Sequence, residues 1–155
     1  MKTTLVKLLL LAVYAANAVA EEPGHGPEAT DVNVTVGTPD GKYQFSPNKL
    51  SFERGKYYRL IVHNASPEAH YFTSDAFATH IFTRKVEVMG ADGKVIAEVH
   101  GPVNDLDLEA GATVAWYFYP MTNGDNLPLF CHKEGHAAKG MMGTISIVGP
   151  PPFAK

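Results

Sequence analysis

The chain contains a single cysteine, Cys131, among 155 residues. One thiol excludes an intramolecular disulfide, so whatever holds this fold together, it is not a covalent staple. Long apolar runs are also missing. Leu8 to Ala16 is nine residues long, whereas a helix that crosses a bilayer needs about 20. There is no basic run, and Lys+Arg number 13 against 16 Asp+Glu, a net charge of −3. Nucleic acid and anionic membrane surfaces are therefore poor partners, and a basic or neutral protein surface is a better one. No internal repeat and no second domain are visible.

What is present begins with a leader. Lys2 and Lys7 precede the Leu8–Ala16 run, and Asn17-Ala18-Val19-Ala20 ends in a small-x-small pattern before Glu21-Glu22. This three-part pattern predicts a secretory signal peptide over 1–20, cleaved after Ala20. Losing Lys2 and Lys7 lowers Lys+Arg to 11 against 16 acids, a charge of −5, on the 135 residues left after removing 20 from 155. That length supports one domain with a core and is short for two. An exported protein meets oxidising conditions, so an odd thiol there is a buried apolar filler, an intermolecular bridge, a nucleophile or a metal ligand.

Residues 21–31 are polar and rich in Pro and Gly, and are expected to form a flexible lead-in to a domain over 32–149, with a tail at 150–155. Within the domain, Val32, Val34 and Val36 alternate with polar residues, as a half-buried strand requires. Similar short runs follow at Tyr43–Phe45, Leu50–Phe52, Tyr57–His63, His70–Phe72, Val86–Val88, Val95–Val99, Leu106–Leu108, Thr113–Tyr119, Leu127–Cys131 and Thr144–Val148. Asp92-Gly93 between two of them suits a tight hairpin turn. Ser74 to Phe82 has a helical start, with Ser74 as N-cap. Seven or eight strands with regular turns predict an all-β sandwich or barrel carrying one short helical insert.

The densest chemistry lies in Pro128 to Ile145. Cys131 ends a strand-like run, His136 follows five residues later, and Met141 five beyond that. Gly135, Gly140 and Gly143 permit a tight curl that aims thiolate, imidazole and thioether at one centre. Soft sulfur with imidazole suits copper, while zinc more often recruits further cysteines or a carboxylate. A trigonal Cys-His-His site with a weak axial Met needs one more imidazole. His70, after the Asn64–Glu68 loop, is the candidate. His63 competes from within a strand, and His80 and His100 are expected to be exposed. His132 should point away from its neighbour Cys131, as alternate residues do on an extended segment. Met142 rivals Met141 for the axial place, and Met89 and Met121 read as core or loop fillers.

These residues together resemble the cupredoxins, small exported copper proteins. The likeness runs from about Val32 to Val148. It rests on Phe45-Ser46-Pro47-Asn48-Lys49-Leu50-Ser51-Phe52, Leu60-Ile61-Val62-His63-Asn64, His70-Tyr71-Phe72 and Leu106-Asp107-Leu108-Glu109-Ala110-Gly111. Phe130-Cys131, His136 and Gly140-Met141-Met142-Gly143 complete it. The resemblance implies a Greek-key β-sandwich, one type 1 copper ion cycling between Cu(I) and Cu(II), and His70, Cys131, His136 and Met141 as its ligands, with Met141 preferred over Met142. It further implies a periplasmic monomer that exchanges single electrons with a cytochrome or a copper enzyme. It places the docking rim at His136 with Ala137, Ala138, Leu127 and Pro128.

The Ser74–Val103 insert looks like that of cupredoxins linked to copper tolerance, and His25, His80, His100 and His132 exceed the needs of one copper. Sequestration or delivery of copper among copper-handling proteins is therefore the second function. An enzyme is not expected. Multi-copper enzymes with this fold need more domains, and a cysteine hydrolase leaves Met141 unexplained.

Overall fold

Side chains that alternate between water and core dictate most of this architecture. The computed structural model of the protein describes residues 27–150. The predicted leader, His25 and the last five residues lie outside them. Eleven strands are found among the described residues: β1 Thr30–Val36, β2 Phe45–Ser46, β3 Lys49–Glu53, β4 Tyr58–Asn64, β5 His70–Thr73, β6 Ile81–Met89, β7 Val95–Val99, β8 Asp105–Leu108, β9 Thr113–Pro120, β10 Gly124–Phe130 and β11 Met142–Val148. One turn of α-helix, α1 (Asp75–Ala78), and one 3-10 turn, Ala137–Lys139, interrupt them.

The strands form two sheets, ordered β2-β1-β4-β9-β6-β7 and β3-β11-β10-β5-β8. In β4, Tyr58, Leu60, Val62 and Asn64 are buried while Arg59, Ile61 and His63 face out, the period of two that a sheet with one wet face requires. Phe52 and Phe72 from one sheet meet Leu60, Trp116 and Phe118 from the other in a single core. Phe52, Tyr58, Phe77, Trp116 and Phe118 pack mostly edge-to-face, the geometry that aromatic quadrupoles favour. The expected β-sandwich is the observed one.

Three boundaries differ from the sequence reading, each for a pairing reason. The strand count is higher than seven or eight, because short segments such as β2 and β5 each find a partner. The helical insert is only one turn. Ser74 does cap it, accepting a hydrogen bond from the Phe77 amide, but Ile81 and Phe82 leave the helix to pair with Pro120 and Tyr119. The lead-in ends two residues early, since Thr30 and Asp31 already pair with Tyr58 and Arg59. The Asp-Gly hairpin forms between β6 and β7 as expected, with Gly93 at φ +76°.

Candidate metal centre

One end of the five-stranded sheet gathers the residues singled out by spacing. His70 opens β5 and turns its ring inward. Phe130 at the end of β10 stands opposite Thr73 of β5 on one side and Met142 of β11 on the other. Cys131 therefore leaves β10 beside β5. The loop it starts closes on itself: the Cys131 amide donates to the Met141 carbonyl at 3.2 Å, and the Met141 amide to the His136 carbonyl at 3.1 Å. The reversal at Gly140 has φ +103°, where a side chain would be strained.

His70, Cys131 and His136 converge, all three buried, with one donor atom from each within 4.8 Å of the others. His70 Nδ1 lies 3.1 Å from His136 Nδ1, and Cys131 Sγ lies 3.4 Å from His136 Nδ1 and 4.0 Å from His70 Nδ1. A triangle with these sides has a point about 2.1 Å from every corner, the length of a metal–nitrogen bond and about 0.2 Å short of a metal–sulfur bond. Three lone-pair donors aimed at one point suit a cation, and a thiolate with two imidazoles suits copper. The Met141 side chain is fully buried, and its backbone bonds to both Cys131 and His136. Met142 is exposed. The Tyr71 amide donates to Cys131 Sγ at 3.3 Å, which orients the sulfur.

Burial lowers the pKa of both imidazoles below the ordinary 6.5, with His136 adding to the effect at His70 and Lys133 adding to it at His136. Both rings are thus kept neutral at pH 7, the form that offers a lone pair to a metal. The folded pKa is the lower one, so the unfolded chain takes up protons first as pH falls. Stability of the metal-free protein should be undiminished above about pH 6.5 and should decline below it. Urea midpoints at pH 7.5 and 5.5 measure this, and the difference should shrink in His136→Asn.

The surroundings include residues that spacing did not reveal. Asn64, fully buried, donates to the carbonyls of Glu68 (2.7 Å), Leu108 (2.8 Å) and Glu109 (3.1 Å), and accepts from the Ser66 amide (3.0 Å). This fixes the loop that delivers His70. Gly37, at φ +65°, passes so close that a Cβ there would stand 2.5 Å from Ser66 Cβ and 3.0 Å from His70 Nε2. The Tyr43 ring covers the pair, 4.5 Å from the His136 ring and 6.0 Å from that of His70. Lys139 stands over Tyr43 at 4.4 Å.

The expected rim around His136 is corrected in part. Leu127 belongs to the core, being four residues up β10 from Cys131. The ring of His136 itself is buried and faces Tyr43 and Glu68.

The remaining histidines are scattered. His63 faces out and pairs with Thr113 at 2.8 Å. His80 is half-buried against the Ala76 carbonyl, less open than expected. His100 is exposed and meets Glu98. His132 is exposed and stacks on Tyr71 at 3.9 Å, pointing away from the triangle as alternation predicts. Among the described residues, none of the four joins a second group of three ligand-type side chains.

No family model and no curated protein sequence matches the chain. Solved structures do. A multicopper oxidase from Campylobacter jejuni overlaps 82% of this chain and 31% of its own at 19% identity, TM-score 0.56. A copper nitrite reductase from Nitrosomonas europaea overlaps 79% of this chain and 50% of its own at 14% identity, TM-score 0.56. The fold is that of the cupredoxins. A reduced auracyanin from Roseiflexus castenholzii also overlaps, over 79% of this chain and 100% of its own, at 14% identity and TM-score 0.49. This chain thus spans a third to a half of the two enzymes' length. A cupredoxin sandwich holding a buried His-Cys-His triangle indicates copper binding.

Proposed function

We propose that the protein is an exported electron carrier that holds one type 1 copper ion through His70, Cys131 and His136, with Met141 as the weak axial ligand. The observation that carries this reading is the buried triangle of 3.1, 3.4 and 4.0 Å. Copper supplies the one-electron couple. The residues supply a fixed cage: two paired strands, a self-bonded loop and the Asn64 network hold the donors with little freedom to move. A rigid cage keeps reorganisation small when the oxidation state changes, and the buried apolar shell tunes the potential. In this reading the chain performs no bond-making step, and its partner is a redox protein, a cytochrome or a copper enzyme, met in the periplasm as a monomer.

Stoichiometry and kinetics test the proposal. Titration with Cu(II) should saturate at one ion per chain, and the loaded protein should exchange electrons rapidly and reversibly with a c-type cytochrome. Tight binding of further ions, lost in His25→Ala or His80→Ala, together with sluggish electron exchange, would instead establish copper sequestration or delivery for tolerance.

A further inference from the structure

Glu68 stands two residues before His70, yet its carboxylate faces the other imidazole. Its Oε2 lies 3.9 Å from His136 Nε2. The Nδ1 atom of His136 is turned toward Cys131 Sγ and His70 Nδ1. A neutral ring that offers Nδ1 as a lone pair carries its proton on Nε2, the edge that looks at Glu68. We propose that Glu68 is a positioning residue for His136: its carboxylate stands opposite the Nε2–H of this ring and, by its charge, biases the centre toward its oxidised, more positive state. This rests on the copper reading above.

The placement of Glu68 is built. Its amide donates to Ser66 Oγ at 3.0 Å, and its carbonyl accepts from Ser66 Oγ at 2.8 Å and Asn64 Nδ2 at 2.7 Å. Asn64 is itself tied to the Leu108 carbonyl of β8. The backbone under the carboxylate is therefore held by three hydrogen bonds, while the side chain is 46% exposed. At 3.9 Å the carboxylate is beyond hydrogen-bond range, and it stands equally far, 3.9 Å, from Lys133 Nζ. Lys133 is anchored on the Ala69 carbonyl at 3.2 Å. The acid sits between an imidazole and an ammonium, at the same distance from each.

The sign of the effect follows from charge. A carboxylate that faces the distal N–H of a ligating imidazole makes the ring a stronger donor and adds negative charge beside the site. Both favour Cu(II) over Cu(I). Lys133 acts in the opposite sense, by its own charge.

Potentiometric titration of the copper-loaded protein decides the matter. Glu68→Gln, which removes the charge and keeps the shape, should raise the preference for Cu(I) about tenfold, an upward shift of about 59 mV for one electron. Glu68→Asp, which keeps the charge on a shorter reach, should shift it less. Lys133→Ala should move the potential downward. The thiolate-to-copper band should persist in all three, since none supplies a donor atom. An unchanged potential in Glu68→Gln with that band intact overturns this inference alone, as does a shift of the same sign in Glu68→Gln and Lys133→Ala. Absence of the band in the unaltered protein overturns the copper reading, and this inference with it.

Discussion

Cu(II) added to the unaltered protein is expected to produce an intense visible absorption; Cys131→Ser should abolish it and weaken Cu(II) binding by more than about 100-fold. The band is a transfer of charge from thiolate to copper, and this chain has no other cysteine. Serine offers an alcohol that stays protonated at neutral pH, so it supplies neither the charge nor the soft donor. The fold should survive. The site of substitution is buried, but the Ser hydroxyl is nearly the size of the thiol and can still accept from the Tyr71 amide. A cost of about 1 kcal/mol is expected for the metal-free protein. Copper titration followed by absorbance, beside circular dichroism and urea unfolding, separates loss of the ligand from loss of structure. A band that persists in Cys131→Ser would refute the assignment of the thiol as ligand.

Asn64→Ala is expected to cost the metal-free protein about 3–5 kcal/mol, among the larger effects of any single substitution. Its side chain serves three carbonyls and one amide. Alanine takes this partner from the Leu108 carbonyl and the Ser66 amide in a place where Asn64 itself is fully buried, while the Glu68 carbonyl keeps Ser66 Oγ and the Glu109 carbonyl keeps the Ala112 amide; each buried unpaired group costs about 1–3 kcal/mol, less where water enters. Asn64→Asp should be no milder, because a carboxylate would face three carbonyl oxygens with no proton to give. Copper affinity should fall too, since the freed loop no longer aims His70. Urea unfolding of both variants and competition for Cu(II) measure the two consequences. A loss below about 1 kcal/mol would show that the network does not hold the loop.

How much of this was legible in the sequence depends on how local each signal is. Cys131, His136 and Met141 share one loop, so their spacing alone proposed a common centre, and the glycines that permit the curl stood between them. His70 lies 61 residues before Cys131. Its place depends on β5 lying against β10, a tertiary pairing that the sequence could only suggest. Alternation predicted the outward turn of His132 correctly, because both neighbours continue an extended segment. It could not settle the end of the helix, where Ile81 and Phe82 have side chains suited to either structure and β9 decided in favour of strand. Leu127 and Pro128 looked alike as a rim, yet alternation along β10 buries the first and exposes the second. Glu68 and Tyr43 gave no signal, because a charged residue in a loop and an aromatic before a short strand are ordinary on a surface.

The lone cysteine has a further consequence. Cys131 and His70 sit on separate strands far apart along the chain, and an ion gripped by both would be a cross-link closing that 61-residue interval. A chain that cannot make a disulfide with itself would then possess a removable one. Unlike a covalent bridge, its contribution would follow mass action: at free metal 1,000 times the dissociation constant it adds about 4.1 kcal/mol, and it vanishes under a chelator. The melting temperature would thus track how much copper the surroundings hold, and a depleted compartment would hold a softer protein.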